Sequence, residues 1–166
     1  ELVGGNSIAV DGTGATVEGS VVTIDSAGTY EVSGSLADGR LIVDTADTGI
    51  VRLILDGAEI SCSTSSPLSI YNALKTIIVL GDLSENRLSD GATYVFDYPV
   101  EKEPNAALFS RSDLTICGGG SLAVEGHYKG GVAVRDGLIV RSGSITVNAP
   151  GNGIKGGDYI VVKGGE

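Results

Sequence analysis

Three segments of this chain repeat one another in register, and that repeat limits the fold more than any other feature. Ser112-Asp113-Leu114-Thr115-Ile116-Cys117-Gly118 is echoed by Asp136-Gly137-Leu138-Ile139-Val140-Arg141-Ser142, and again by Asp158-Tyr159-Ile160-Val161-Val162-Lys163-Gly164. From position 112 to 136 is 24 residues, and from 136 to 158 is 22. Leu108, Val132 and Ile154 keep the same two spacings, and Ser121-Leu122-Ala123-Val124 matches Ser144-Ile145-Thr146-Val147. Weaker echoes lie upstream at Lys75–Leu80 and Val51–Asp56. A unit of this length, built from short β-branched runs and tight turns, is one coil of a parallel β-helix.

Period-two alternation then assigns the side chains. Leu114, Leu138 and Ile160 form one inward column, and Ile116, Val140 and Val162 form a second. Cys117, Arg141 and Lys163 point outward. Adjacent coils lie about 4.8 Å apart, so each column is a continuous aliphatic stack. Composition agrees: 26 of 166 residues are glycine, there is no tryptophan, and apolar content is 42%, mostly aliphatic. Glycine without a strict three-residue period excludes collagen. A helical solenoid and a leucine-rich repeat lack their patterns here, and a two-sheet sandwich would not hold a 24- and 22-residue register. The sequence predicts an all-β, right-handed parallel β-helix forming one domain over 1–166, with N-terminal coils over 1–40. Register breaks once, at an insertion over 89–104. The chain stops partway through a coil at Lys163-Gly164-Gly165-Glu166 and begins at Glu1 without methionine or an apolar leader. Those ends predict a processed product whose parent continues with further coils.

Charge narrows the partners. Eleven basic and 21 acidic residues give a net charge of −10, which disfavours nucleic acid and anionic lipid. Aliphatic runs are too short to span a bilayer, so no membrane insertion is expected.

Val51–Gly57, Ser84–Gly91, Asn105–Ile116 and Gly153–Asp158 resemble a family of secreted carbohydrate-binding domains, over most of the chain from about Gly28. The resemblance implies a fold akin to pectate lyases, a secreted or cell-surface location, and binding of calcium and acidic polysaccharide. Where that family carries paired aspartates, this chain has Lys129-Gly130 and Gly151-Asn152.

The residues themselves offer two candidate sites. Asp136 and Asp158 occupy one corner of successive coils, with Asp113 a residue away from that column. Carboxylates about 5 Å apart repel by roughly 1 kcal/mol even in high dielectric. A Ca²⁺ ion, with Asn105 or Asn152 completing the oxygen ligands, would relieve this. The alternative is that each aspartate caps the backbone N–H groups of its turn. The second site is Tyr94, Phe96 and Tyr98, which alternate within the insertion and so place their rings on one side. That row either stacks on sugar rings or seals the insertion against the solenoid. His127, the only histidine, excludes a multi-histidine metal site and reads as a loop residue. Cys62 is predicted inward and Cys117 outward, giving two free thiols.

The expected function is a non-catalytic extracellular module that binds a polygalacturonate-like polysaccharide or a glucan, with calcium assisting. A self-assembling filament subunit that associates end to end is one alternative. A polysaccharide lyase is another, with Arg135 beside Asp136 as its nearest approach to a base and carboxylate.

Overall fold

The computed structural model describes residues 2–3 and 7–166. Among them there are eighteen strands and no helix. Two antiparallel pairs come first: β1 (Leu2–Val3) with β2 (Ser7–Ile8), and β3 (Ala15–Glu18) with β4 (Val21–Ile24). From β4 onward the chain winds as a β-solenoid of about six turns. Among the described residues, the predicted N-terminal coils over 1–40 are therefore only partly coils; positions 1 and 4–6 of that span lie outside the described residues. Gly12, Gly14 and Gly19 take positive φ, and the chain doubles back on itself there.

Each turn contributes one strand to a first face. These strands are β4, β6 (Arg40–Asp44), β8 (Leu68–Asn72), β11 (Ala106–Ser110), β14 (Gly130–Val134) and β17 (Ile154–Gly156), all parallel, with β3 at the edge. A second sheet wraps round a corner and supplies the other two faces. Its pivots are β5 (Gly28–Leu36) and β7 (Ile50–Cys62), which run unbroken through the corner. Residues 50–55 of β7 pair with β9 (Lys75–Leu80), and residues 59–62 pair with β10 (Glu85–Asp90). Gly57 makes that corner at φ +72°, a left-handed conformation that favours glycine. Later turns separate the two faces into β12 (Leu114–Gly118) and β13 (Ser121–Glu125), then β15 (Gly137–Val140) and β16 (Ser144–Asn148), and finally β18 (Tyr159–Val162).

The register read from the repeat is the register of the sheets. Leu114 pairs with Leu138 and Leu138 with Ile160; Ile116 pairs with Val140 and Val140 with Val162. Leu108 pairs with Val132 and Val132 with Ile154, while Leu122 and Val124 pair with Ile145 and Val147. The upstream echoes join the same columns, as Leu53–Ile78–Ile116. Leu53, Ile78 and Ile116 are fully buried, each worth about 1.5–3 kcal/mol in transfer from water. Ile160 and Val162, inward by register, are exposed in the last turn. Both cysteines are free, Cys62 buried and Cys117 half-buried, as alternation requires.

One buried polar side chain ties turns together. The Asn86 carboxamide oxygen accepts the Ala58 N–H at 2.9 Å, and its amide donates to the Ser121 carbonyl at 3.0 Å. Those partners lie in the turns before and after its own. Satisfying both ends of the amide is what allows Asn86 to be buried in an aliphatic stack.

Candidate functional site

Alternation on the first face sends Arg40, Tyr71, Phe109, Arg111, Ala133, Arg135 and Lys155 outward. The insertion folds over the middle of this row. Strand β10 includes Ser89 and Asp90, paired with Ser61 and Cys62, so the chain leaves the solenoid at Gly91 rather than at 89. Two carboxylates pin the excursion down. Asp97 accepts hydrogen bonds from both terminal nitrogens of Arg40, at 3.0 and 2.6 Å, and from the Tyr71 hydroxyl. Glu103, only 1% exposed, accepts from Arg111 Nε at 2.9 Å and from Arg135. Between these clamps the Arg111 guanidinium lies 3.6 Å over the Tyr98 ring, which meets Tyr71 edge-on at 5.1 Å. Phe109 stands on an outer face yet is 1% exposed, its ring 6.2 Å from that of Tyr71, which in turn meets Tyr98 of the insertion.

The electrostatics follow from this burial. Burial alone would raise the Asp97 carboxyl, but the hydrogen bonds and charge of Arg40 and the Tyr71 bond outweigh it, holding Asp97 below the usual carboxylate range. Burial first, and the bond to Asp97 second, push the Tyr71 phenol well above its ordinary value. Burial and Asp90 do the same to Tyr94.

The predicted aromatic row does share one side. Tyr94, Phe96 and Tyr98 are half-buried and alternate with exposed Val95 and Asp97. That side faces the solenoid. Tyr94 stacks on Tyr128 at 4.4 Å, Phe96 meets Tyr128 edge-on at 6.0 Å, and the Tyr94 hydroxyl donates to Asp90 at 2.5 Å. Of the two readings, the rings follow the sealing one. His127 sits in the adjoining turn, exposed, with Nδ1 2.9 Å from the Asp90 carbonyl oxygen.

The predicted cation ligands are only partly brought together. Asp136 and Asp158 immediately precede the paired residues Gly137 and Tyr159, so they stand in neighbouring coils as predicted, both exposed. Asp113 accepts the Gly137 N–H at 3.1 Å and faces the Tyr159 hydroxyl at 3.4 Å, a capping role across coils. Asn105 and Asn152 lie at the opposite end of the first-face strands, on the order of 15 Å away along the strand direction. Their backbone carbonyls accept the Gly130 and Gly131 N–H groups. Among the described residues, no group of three or more His, Cys, Asp or Glu side chains is arranged to hold a metal ion. The predicted donor set, taken whole, does not fit a calcium ion.

What the face leaves open is a groove of about 420 Å³ beside the insertion, lined among others by Asn105, Phe109, Ala133, Arg135, Lys155 and Asp158. Its origin is a row in register across three coils: Phe109, Ala133, Lys155. A methyl group between a ring and a long cation makes a notch. The Arg135 side chain is 56% exposed and Lys155 is exposed, so both cations reach the opening. Neither was singled out as a ligand residue from sequence. Both are outer positions of the 24- and 22-residue repeat, since Arg135 lies in register with Arg111 and Lys155 with Ala133. A larger cavity, about 520 Å³, lies at the other end of the solenoid and is walled by Val22, Ile24, Leu36 and Leu41, an extension of the core.

This architecture has relatives. The family described as "Carbohydrate-binding domain-containing protein" matches residues 18–166. The chain belongs to this family. A carbohydrate-binding domain-containing protein of Acetivibrio thermocellus is 38% identical over 136 residues, covering 82% of this chain and 48% of the relative. The chain thus spans about half the length of the curated relative it matches. Among solved structures, a gadolinium derivative of a polysaccharide lyase-like protein from C. thermocellum superposes with a TM-score of 0.85 at 29% identity. That superposition covers 96% of this chain and 77% of the neighbour. A carbohydrate-binding domain implies a polysaccharide partner for the family, and the fold of the neighbour is the fold seen here.

Proposed function

We propose that the chain is a non-catalytic, extracellular polysaccharide-binding module whose ligand lies along the outer face of the first sheet, beside the insertion. The observation that carries this reading is the groove itself: Lys155, unpaired among the described residues, the half-exposed Arg135 that also holds Glu103, a notch at Ala133 and an amide at Asn105, set on a rigid solenoid face. Rigid strands hold such groups without ordering cost on binding, which favours recognition of an extended chain. Polyuronate suits the groove better than a neutral glucan, because the rings of Tyr94, Phe96 and Tyr98 are engaged in packing while Arg135 and Lys155 face the opening. Calcium assistance, implied by the resemblance, draws support here only from the Asp136–Asp158 pair.

Cleavage is the competing outcome, and one experiment addresses both. The chain is incubated with polygalacturonate and with soluble cellulose oligomers. Retention is read by affinity electrophoresis, and unsaturated products by ultraviolet absorbance. The expected outcome is retardation by polygalacturonate with flat absorbance over hours. A rise in absorbance that depends on added calcium would establish a lyase instead. Retardation by neither polymer would remove the polysaccharide reading.

A further inference from the structure

The outer row of the first face is cationic on a protein whose net charge is −10. The insertion already shows what that row takes. Glu103 is an intramolecular carboxylate held between Arg111 and Arg135, which stand in neighbouring coils about 4.8 Å apart. Asp97 is a second such carboxylate, on Arg40. Glu103 is shared between two guanidiniums, and the Arg135 side chain remains 56% exposed beside it. Lys155, one coil further, has no ion-pair partner among the described residues. The notch over Ala133 adjoins both, since Ala133 pairs with Lys155 and stands two residues before Arg135 on the same outward side. Asp158 at the far edge of the groove opposes an anion, so an incoming acidic group is directed to the Lys155 side.

The geometry points to a carboxylate-reading subsite in this notch. Arg135 and Lys155 take the acidic group of one uronate residue directly, with no bridging cation, while the sugar ring fills the space over Ala133. This rests on the polysaccharide-binding reading and deepens it by naming the residues that sense charge.

The test uses the full chain, with trigalacturonate and cellotriose as probes, titrated calorimetrically in chelator. Lys155→Gln is the informative variant, because Lys155 is exposed and holds no structural clamp. Ala133→Phe fills the notch from the solvent side. Unchanged melting curves establish that both variants are folded. The expected result is that trigalacturonate binds in chelator, weakens roughly tenfold in Lys155→Gln, as loss of a charged contact predicts, and is lost in Ala133→Phe. Trigalacturonate binding that disappears in chelator, or that ignores both variants, would overturn the subsite while leaving the polysaccharide reading intact. Cellotriose binding as tightly as trigalacturonate would also overturn it. Failure to bind either probe would overturn both readings.

Discussion

Asp97 and Tyr71 form one hydrogen bond that needs the first group charged and the second neutral. Arg40 supplies the reason for the first condition, and burial supplies the second. The consequences for pH have opposite signs. Asp97 has a depressed value when folded, so its contribution is complete above the ordinary carboxylate pKa of about 3.9 and is lost as pH falls through the depressed value. Tyr71 and Tyr94 have raised values, so theirs are complete below the ordinary phenol pKa of about 10 and are lost as pH rises through the folded values. The insertion is therefore predicted to stay docked from about pH 4 to pH 10 and to loosen outside that range. Six tyrosines and no tryptophan make this visible by ultraviolet titration of phenolate. Tyr71 and Tyr94 should ionise last, and together with release of the insertion. In Tyr71→Phe the late component should shrink but persist through Tyr94. A single titration of all six near pH 10 would mean that neither phenol is buried as described.

At the scale of elements, the insertion behaves as a lid fixed by ion pairs to Arg40, Arg111 and Arg135 of the first face. Phe109 is 1% exposed on an outward position of the first face, and if residues 91–104 are what cover it, its packing energy belongs to the contact between two elements. Phe109→Ala is expected to cost about 3 kcal/mol, the low end for a buried phenylalanine. In a chain whose insertion is replaced by a short turn, the same substitution should cost under about 0.5 kcal/mol, as at ordinary surface sites. Chemical denaturation of the four proteins yields the coupling. Equal costs in both backgrounds would show that Phe109 packs against the solenoid alone. The same element marks what sequence reveals. The inward columns were legible because a period of two and a fixed coil length are local properties, written residue by residue from Leu114 to Val162. The extent of the insertion was legible to within two residues, the difference being that Ser89 and Asp90 still pair with Ser61 and Cys62. The antiparallel start was not legible, since β3 and β4 carry no copy of the repeat. Nor was the orientation of the aromatic row. Alternation gave its common side, but which side meets the solenoid depends on contacts such as Arg40 with Asp97, 57 residues apart. The groove lay between those cases. Arg135 and Lys155 are outer positions of the repeat, but that they stay open while Arg40 is covered is settled only by the path of the insertion.

For the whole molecule, the local and global fields have opposite signs. The cations Arg135 and Lys155 sit on a body of net charge −10, so a polyuronate approaching from a distance would meet repulsion before it meets them. The two fields are screened over different lengths. At 0.01 M salt the Debye length is about 30 Å and the whole body is sensed, whereas at 0.15 M it is about 8 Å and only the nearest charges count. Contacts formed at hydrogen-bond distance inside the groove are screened far less than charges across the molecule. Association of trigalacturonate should therefore quicken as salt rises from 10 to 150 mM, the reverse of steered binding between opposite charges. Dissociation should quicken less, so affinity should hold or improve over that range. Cellotriose, being uncharged, should show neither trend. Surface-plasmon kinetics on the immobilised chain separate the two rates. An association rate that falls with salt would mean that the first face, rather than the net charge, governs the field a polyuronate meets. The arginine row would then act as a long-range attractor as well as a contact surface.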